Sequence, residues 1–157
     1  MSRSPNSQYA ALPYRRRSDN LIEVMLVTSR GTGRWVIPKG WPISNLAPQE
    51  SAAREAFEEA GVVGQIGERA MGIYRYSKEL DDGSSVLCAV EVFPLKVEQQ
   101  LSSWPEQAQR QTRWFSVTDA AKAVQEPELS TIISKLKNLS LGDAPALTHH
   151  CRPQNSL

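Results

Sequence analysis

Cysteine is scarce in this chain, and its scarcity excludes a disulfide framework. Only Cys88 and Cys151 occur in 157 residues, the first in an apolar run and the second in a polar stretch near the end. Small secreted domains that depend on disulfides carry more cysteines, at regular spacing. The pattern favours a reducing compartment, and we expect a cytoplasmic protein.

Long hydrophobic runs are also missing. No stretch of the sequence approaches the roughly 18 consecutive apolar residues that a membrane-spanning helix needs, and residues 1–10 contain no apolar segment typical of a secretory signal. The net charge is only +1, whereas nucleic-acid-binding domains are usually strongly basic. We therefore expect no membrane and no nucleic acid as partners. Any basic site must be local, and nothing in the sequence determines the oligomeric state.

The sequence does contain enough apolar residues for one folded domain. Hydrophobic residues make up 40% and charged residues 22% of the chain, which is ordinary for a globular protein of this length. Residues 1–8 are rich in Ser, Pro and Asn and are predicted to be disordered. Residues 9–141 are predicted to form the domain, and residues 142–157 a flexible tail. The order of predicted strands, an early helix, more strands and a final helix indicates an α+β fold.

One predicted helix is unusually well bounded. Pro48 suits the first turn of a helix, where its missing N–H is not needed, and Gly61 suits the position just after a helix end. Between them, small apolar residues and Phe57 recur at helical spacing. This pattern predicts an amphipathic helix over residues 48–60 that packs one side on a sheet.

Three carboxylates lie together on the other side of this helix. Glu55, Glu58 and Glu59 are three and four positions apart, so they share one face and repel each other. Taken alone, such a pattern is usually a solvated acidic face. Here we expect a cation over it, because carboxylates completed by water and substrate phosphates are what Mg²⁺ uses.

The surrounding segment resembles the Nudix box, which is written G-x5-E-x7-R-E-U-x-E-E-x-G-U with U aliphatic. Seven residues fall at the offsets of the box: Gly40, Arg54, Glu55, Glu58, Glu59, Gly61 and Val62. With each fixed residue taken at about one in fifteen, the six fixed matches arise by chance about once in ten million starting positions. Two residues depart from the pattern. Leu46 stands where the box has its first Glu, and Ala56 where it has a larger aliphatic residue. Neither departure removes a carboxylate of the E-x-x-E-E group.

The resemblance implies a fold and a chemistry. The fold is a Nudix-type α/β/α sandwich with a mixed sheet and a loop-helix catalytic box, and the reaction is hydrolysis of a phosphoanhydride by water attack on phosphorus. Glu55 and Glu59 would ligate Mg²⁺, which Mn²⁺ can replace. Glu58 is expected to be the general base, with Glu91 as a weaker candidate, and Arg54 is expected to anchor the loop of the box.

Segments outside the box resemble, more specifically, the bacterial branch of the diphosphoinositol polyphosphate phosphohydrolases, which also cleave diadenosine polyphosphates. These segments are Tyr14-Arg15-Arg16-Arg17, Leu26-Val27-Thr28-Ser29-Arg30, Arg34-Trp35-Val36-Ile37-Pro38-Lys39-Gly40 and Trp114-Phe115-Ser116-Val117 with Arg110. The likeness runs loosely over residues 9–139. It implies a polyphosphorylated small-molecule substrate whose phosphates are contacted by Arg15, Arg30, Lys39 and Arg110 and approached by the backbone of Gly40. Arg and Lys suit this role chemically.

Two other interpretations stay open. One is an RNA 5′-end or nucleoside triphosphate pyrophosphohydrolase, against which the near-neutral charge argues. The other is a non-catalytic Nudix-like module that binds a nucleotide. Such modules usually lose metal carboxylates, and Leu46 is the only departure here that supports this interpretation. The sequence also does not separate inositol-linked from nucleoside-linked substrates, because both present adjacent phosphates to basic side chains.

Overall fold

The computed structural model describes residues 6–138 and 147–151, and only the backbone in the second range. The strands of this part are β1 (Ser7–Arg16), β2 (Ile22–Thr28), β3 (Trp35–Val36), β4 (Lys39–Gly40), β5 (Val62–Gly67), β6 (Gly72–Glu79), β7 (Ser85–Gln100), β8 (Thr112–Ser116) and β9 (Leu147–Cys151). The helices are α1 (Pro48–Ala60), α2 (Val117–Ala123) and α3 (Pro127–Ser134), and 3-10 turns cover Gln107–Gln109 and Lys135–Asn138. Within the described ranges, no helix has the length and apolar character needed to cross a membrane.

A single mixed sheet organises these elements. The strand order is β3-β2-β1-β7-β5-β9, with β4 beside β1, β6 beside β7 and β8 beside β2. β1 and β7 run parallel, and the other pairings among the described strands are antiparallel. The expected α+β sandwich with a mixed sheet is confirmed.

The first strand shows how one sheet supports helices on both faces. Ala10, Leu12 and Tyr14 belong to the core cluster that includes α2 and α3. Tyr9 and Ala11 belong to the cluster that includes α1. Because successive side chains of a strand point to opposite faces, this alternation creates two cores, with α1 on one face and α2 and α3 on the other.

Helix α1 has the bounds that the sequence predicts. Its first turn is held by Glu50, whose Oε1 accepts a hydrogen bond of 2.9 Å from the Ala47 N–H. Its end is closed by Gly61, which has a φ of 71° and donates its N–H to the Phe57 carbonyl, as a left-handed helix cap does. Fully buried alanines form the side that packs on the sheet: Ala52, Ala56 and Ala60. The opposite side is therefore free to face a cleft.

The two chain ends differ from expectation. β1 begins at Ser7, so residues 7 and 8, which were expected to be disordered, belong to the sheet. Residues 147–151 were expected to lie in a flexible tail, and they form β9 paired with β5. This pairing satisfies backbone groups that an edge strand would otherwise leave open. The rest of the predicted disordered start and tail, residues 1–5, 142–146 and 152–157, lies outside the described residues.

Candidate active site

A cleft of about 1110 Å³ opens beside α1. Its wall combines segments that are distant in sequence: the β2–β3 loop, β4 and the loop after it, α1, β6, the loop before β8 and the α2–α3 connection. The cleft is lined by five basic side chains, Arg30, Arg34, Lys39, Lys78 and Arg110, and five acidic ones, Glu55, Glu59, Glu79, Glu106 and Glu126. Its charged groups are thus balanced in number.

Two carboxylates of α1 face this cleft one helical turn apart. Glu55 and Glu59 both line the cleft, and Glu59 is only 5% exposed. Burial raises the pKa of Glu59 to about 8, against the lowering effect of Arg110. Burial, followed by repulsion from Glu58, raises the pKa of Glu55 to about 7. The positive charges of the protein therefore do not fully compensate the two carboxylates, and a hard divalent cation would do so.

The donor set fits a cation that shares its ligands with a substrate. Among the described residues, no group of three or more His, Cys, Asp or Glu side chains is arranged to hold a metal ion. The cleft offers a carboxylate pair instead of a full cage. Mg²⁺ is commonly held by one or two carboxylates, with water and substrate phosphates completing its octahedron, so the Glu55–Glu59 pair suits it.

Arg110 is held against the carboxylate pair from three directions. Its Nη2 lies 3.7 Å from Glu59 Oε2, its Nε donates to Glu106 Oε1 at 2.8 Å, and its Nη1 donates to the Thr28 carbonyl at 3.1 Å. The side chain is 10% exposed. Glu106 was not anticipated from the sequence, because it lies in a polar loop without a motif. The one sequence feature that could have indicated Glu106 is its spacing of four residues from Arg110.

Strand β4 brings Lys39 and Gly40 to the same place. A Cβ on Gly40 would overlap the Glu55 carboxylate, so only glycine allows this close approach. The Lys39 ammonium lies 4.9 Å from the centre of the Tyr76 ring, within cation–π range. Burial lowers the pKa of Lys39, and the charge of Glu59 opposes that shift.

The structure brings four of the five predicted phosphate-contacting residues to the cleft: Arg30, Lys39, Gly40 and Arg110. It does not bring Arg15 there. Arg15 pairs with Glu23 at 2.8 Å and stacks over Trp114 at 4.0 Å. β4 pairs with the start of β1, at Tyr9 and the residue after it, whereas Arg15 lies near the other end of the strand, about 20 Å away at the usual rise per residue. The sequence cluster of arginines could not reveal which end of β1 faces the cleft.

The proposed general bases lie outside the lining of the cleft. Glu58 is half-buried on α1, and burial raises its pKa while Arg54 lowers it. The Glu58 carbonyl accepts the Glu106 N–H at 2.9 Å, so Glu58 borders the loop that carries a cleft residue. Glu91 lies in β7 opposite Tyr9 of β1. The roles of both glutamates remain predictions.

The loop that departs from the box is closed by its own short contacts. The Leu46 N–H donates to the Ile43 carbonyl at 3.1 Å. The Ile43 N–H donates to Ser51 Oγ at 3.2 Å, and Ser51 is buried on α1. These bonds fasten the loop to the helix without a carboxylate at position 46.

Sequence reasoning missed an ion pair and an aromatic residue in the cleft. Arg34 Nη2 lies 2.9 Å from Glu126 Oε2, although 92 residues separate the two. The other nitrogen, Arg34 Nη1, and the other oxygen, Glu126 Oε1, are buried without a hydrogen-bond partner. Trp41, directly after Gly40, lines the cleft and is 42% exposed. Trp41 could have been found from its position in the box, whereas no local pattern marks Glu126.

Comparison with known proteins identifies the family. The sequence model of the NUDIX domain family matches residues 8–136. These residues include α1 and the whole lining of the cleft. The chain is 32% identical over 142 residues to diphosphoinositol polyphosphate phosphohydrolase 3-alpha of Mus musculus, covering 87% of this chain and 80% of the relative. It is 36% identical over 104 residues to the mitochondrial Nudix hydrolase 12 of Arabidopsis thaliana, covering 64% of this chain and 51% of the relative. The chain spans about half the length of three plant Nudix hydrolases that it matches, at 51%, 55% and 53%.

Solved structures share the fold. A NUDIX hydrolase from Nitrosomonas europaea superposes with a TM-score of 0.61 at 20% identity, covering 88% of this chain and 94% of that one. An Ap4A hydrolase of C. elegans in a binary complex gives a TM-score of 0.58 at 20% identity, covering 83% of this chain and 93% of that one. Because the family model covers residues 8–136 and a relative of 32% identity covers 87% of this chain, the chain belongs to the Nudix family.

Proposed function

We propose that this protein is a Mg²⁺-dependent hydrolase of a phosphoanhydride bond in diadenosine polyphosphates or diphosphoinositol polyphosphates, with Mn²⁺ able to replace Mg²⁺. The observation that carries the proposal is the pair of Glu55 and the buried Glu59 in one cleft with Arg30, Lys39 and Arg110. The relatives named as diphosphoinositol polyphosphate phosphohydrolases support the substrate class. They cover most of this chain, 87% and 88%.

Glu55 and Glu59 would hold the cation. Such a cation neutralises phosphate charge and lowers the pKa of a bound water. Arg110 acts beside the carboxylates, because its contacts with Glu106 and Thr28 fix its guanidinium before a substrate arrives. Gly40 lacks a side chain, which lets the Glu55 carboxylate lie against the backbone of β4. Phosphoryl transfer depends mainly on this kind of positioning and charge stabilisation.

We propose Glu58 as the group that takes the proton from the attacking water. Burial raises its pKa, which moves it toward the range where a base works best near neutral pH. Glu58 lies outside the lining of the cleft, so this role requires its side chain to turn toward the cleft when substrate binds. Glu58→Gln should lower kcat by about a hundredfold with the metal requirement unchanged. A kcat within about threefold of the wild type would show that a group other than Glu58 takes the proton from the attacking water.

The proposal includes a reducing, cytosolic location. Cys88 is buried and unpaired, which suits a protein that does not depend on disulfide formation. Cell fractionation of the tagged full chain tests this, and recovery only in an organelle fraction would contradict it.

A substrate panel tests the proposed activity. Phosphate release or product formation is measured with diadenosine tetraphosphate, a diphosphoinositol polyphosphate and ADP-ribose, each with Mg²⁺ and with excess chelator. We expect turnover only with the metal, and a higher kcat/KM for a polyphosphate than for ADP-ribose. A higher kcat/KM for ADP-ribose would contradict the substrate class. Tight binding without turnover on any substrate would favour the non-catalytic module.

A further inference from the structure

Trp41 is a large aromatic side chain that lines the cleft and is partly exposed to solvent. It is 42% exposed and follows Gly40, the residue that touches the Glu55 carboxylate. The aromatic and cation–π contacts among the described residues do not include Trp41. By contrast, Trp35 packs edge-on against Phe115 at 5.1 Å. An exposed indole forfeits the stabilisation of burial, so the Trp41 ring is available to a ligand.

The charge of the cleft limits what that ligand can be. The lining carries as many acidic as basic side chains, and two of the basic ones are already engaged, Arg34 with Glu126 and Arg110 with Glu106. A diphosphoinositol polyphosphate carries phosphates around its ring, each with a charge of about −1.5 to −2, and needs an excess of cations on several sides. A dinucleoside polyphosphate carries its charge along one chain and ends in neutral planar bases. Glu55 and Glu59 are assigned to the cation, so five basic side chains then face three acidic ones. This small excess of positive charge suits the second substrate.

We propose that Trp41 is the stacking surface for a nucleobase, so that the substrate is a nucleoside polyphosphate and not an inositol polyphosphate. This inference rests on the proposed function, because it takes the phosphates to lie at Glu55 and Glu59. Gly40 touches Glu55, and Trp41 is the next residue, with its Cα about 3.8 Å farther along the chain. A ligand with its phosphates at the carboxylates therefore has its nucleoside within reach of the indole. Every base has a flat face, so stacking selects nucleosides in general.

The test is the ratio of kcat/KM for diadenosine tetraphosphate to kcat/KM for a diphosphoinositol polyphosphate. We expect Trp41→Ala to lower this ratio by about tenfold or more, and Trp41→Phe to keep most of it because phenyl also stacks. Leu87→Ala is the control, since Leu87 is exposed and lies outside the cleft. Its ratio should equal that of the wild type. An unchanged ratio in Trp41→Ala, or a wild type that prefers the inositol substrate, overturns the inference.

A binding measurement separates this inference from the proposed activity. Tryptophan fluorescence is recorded while diadenosine tetraphosphate is added to the full chain. We expect saturable quenching in the wild type and in Trp114→Phe, which removes a tryptophan outside the cleft, and its loss in Trp41→Phe. Quenching without hydrolysis would contradict the proposed activity but would still support Trp41 as the stacking surface. No quenching in the wild type, or quenching that persists in Trp41→Phe, overturns the stacking surface itself.

Discussion

Two charged clusters of this protein contain the same kinds of side chain and differ in their surroundings. The inner cluster consists of Glu55, Glu59, Glu106 and Arg110 on and beside α1. The outer cluster consists of Arg15, Arg17, Asp19 and Glu23 at the end of β1 and the start of β2. In the inner cluster the side chains of Arg110 and Glu59 are 10% and 7% exposed. In the outer cluster the Arg15 and Glu23 side chains are 45% and 19% exposed.

Burial makes the same charges behave differently in the two clusters. Water and salt screen an exposed pair such as Arg15–Glu23, which contributes about 0–1 kcal/mol. The inner cluster holds two carboxylates whose pKa values are raised to about 7 and about 8, so its charges are not fully satisfied by the protein. Perturbed pKa values cluster at functional sites. The difference in burial between the two clusters shows that position relative to the sheet, and not the density of charge in the sequence, decides which cluster can serve as an active site.

Crowding the inner cluster should have a severe effect on activity. In Gly40→Ala the new Cβ displaces the Glu55 carboxylate, and a shift of about 1 Å in a catalytic group can cost about a hundredfold in rate. We expect kcat/KM for the best polyphosphate substrate to fall by about a hundredfold or more. Gly31→Ala is the control, because its Cβ meets nothing within 4 Å. Equal activity of the two variants would show that the approach of Gly40 to Glu55 is unimportant.

Removing an arginine from each cluster compares them directly. Arg110→Ala should lower kcat/KM by roughly ten- to a hundredfold, since a charge-assisted hydrogen bond contributes about 1.5–3 kcal/mol. Arg15→Ala should stay within about twofold of the wild type, because it loses an exposed pair with Glu23 and a stacking contact with Trp114, both outside the cleft. Steady-state kinetics on one polyphosphate substrate provides both values. A loss in Arg15→Ala as large as that in Arg110→Ala would place the outer cluster in the substrate site after all.

The inner cluster should also reduce the stability of the metal-free protein. A folded-state pKa of about 8 for Glu59 means that the folded chain holds a proton that the unfolded chain releases above its ordinary pKa, near 4.5. Stability therefore falls as pH rises from about 4.5 to about 8. Glu59→Gln removes this loss and should raise Tm at pH 8 by about 3 °C or more, with a smaller gain at pH 5. Glu50→Gln, at the start of the same helix, should show no such gain. A lower Tm for Glu59→Gln at pH 8 would contradict the raised pKa.

The departure at Leu46 should matter least. The loop is already fastened by Leu46, Ile43 and Ser51, so a carboxylate at position 46 has no missing contact to replace. We expect Leu46→Glu to change kcat/KM by less than about threefold and Tm by a few degrees at most. An inactive wild type that gains turnover from this change would favour the binding-module interpretation.

Local signals predicted the part of the site that lies on one helix. Pro48 and Gly61 bounded α1 correctly, and the spacing of Glu55 and Glu59 placed both on one face. These properties depend on helix geometry alone, which repeats every 3.6 residues. The sandwich was expected from the order of elements, and the structure confirms it.

Properties that depend on long-range pairing were beyond local signals. Whether Arg15 or Arg110 reaches α1 depends on which end of β1 pairs with β4, and the parallel pairing of β1 with β7 is a contact across more than 70 residues. Glu126 reaches Arg34 from 92 residues away. The strand β9 was missed for the same reason, since its partner β5 lies far back in the chain.

The most direct test of the inner cluster is the hydrolysis of diadenosine tetraphosphate by the wild type, Glu59→Gln and Glu23→Gln at saturating Mg²⁺. Glu23→Gln is the matched change in the outer cluster. We predict that wild-type turnover vanishes with chelator and returns with Mg²⁺ or Mn²⁺, that Glu59→Gln is folded but inactive, and that Glu23→Gln keeps wild-type turnover. Near-normal turnover of Glu59→Gln at saturating Mg²⁺ would contradict the account.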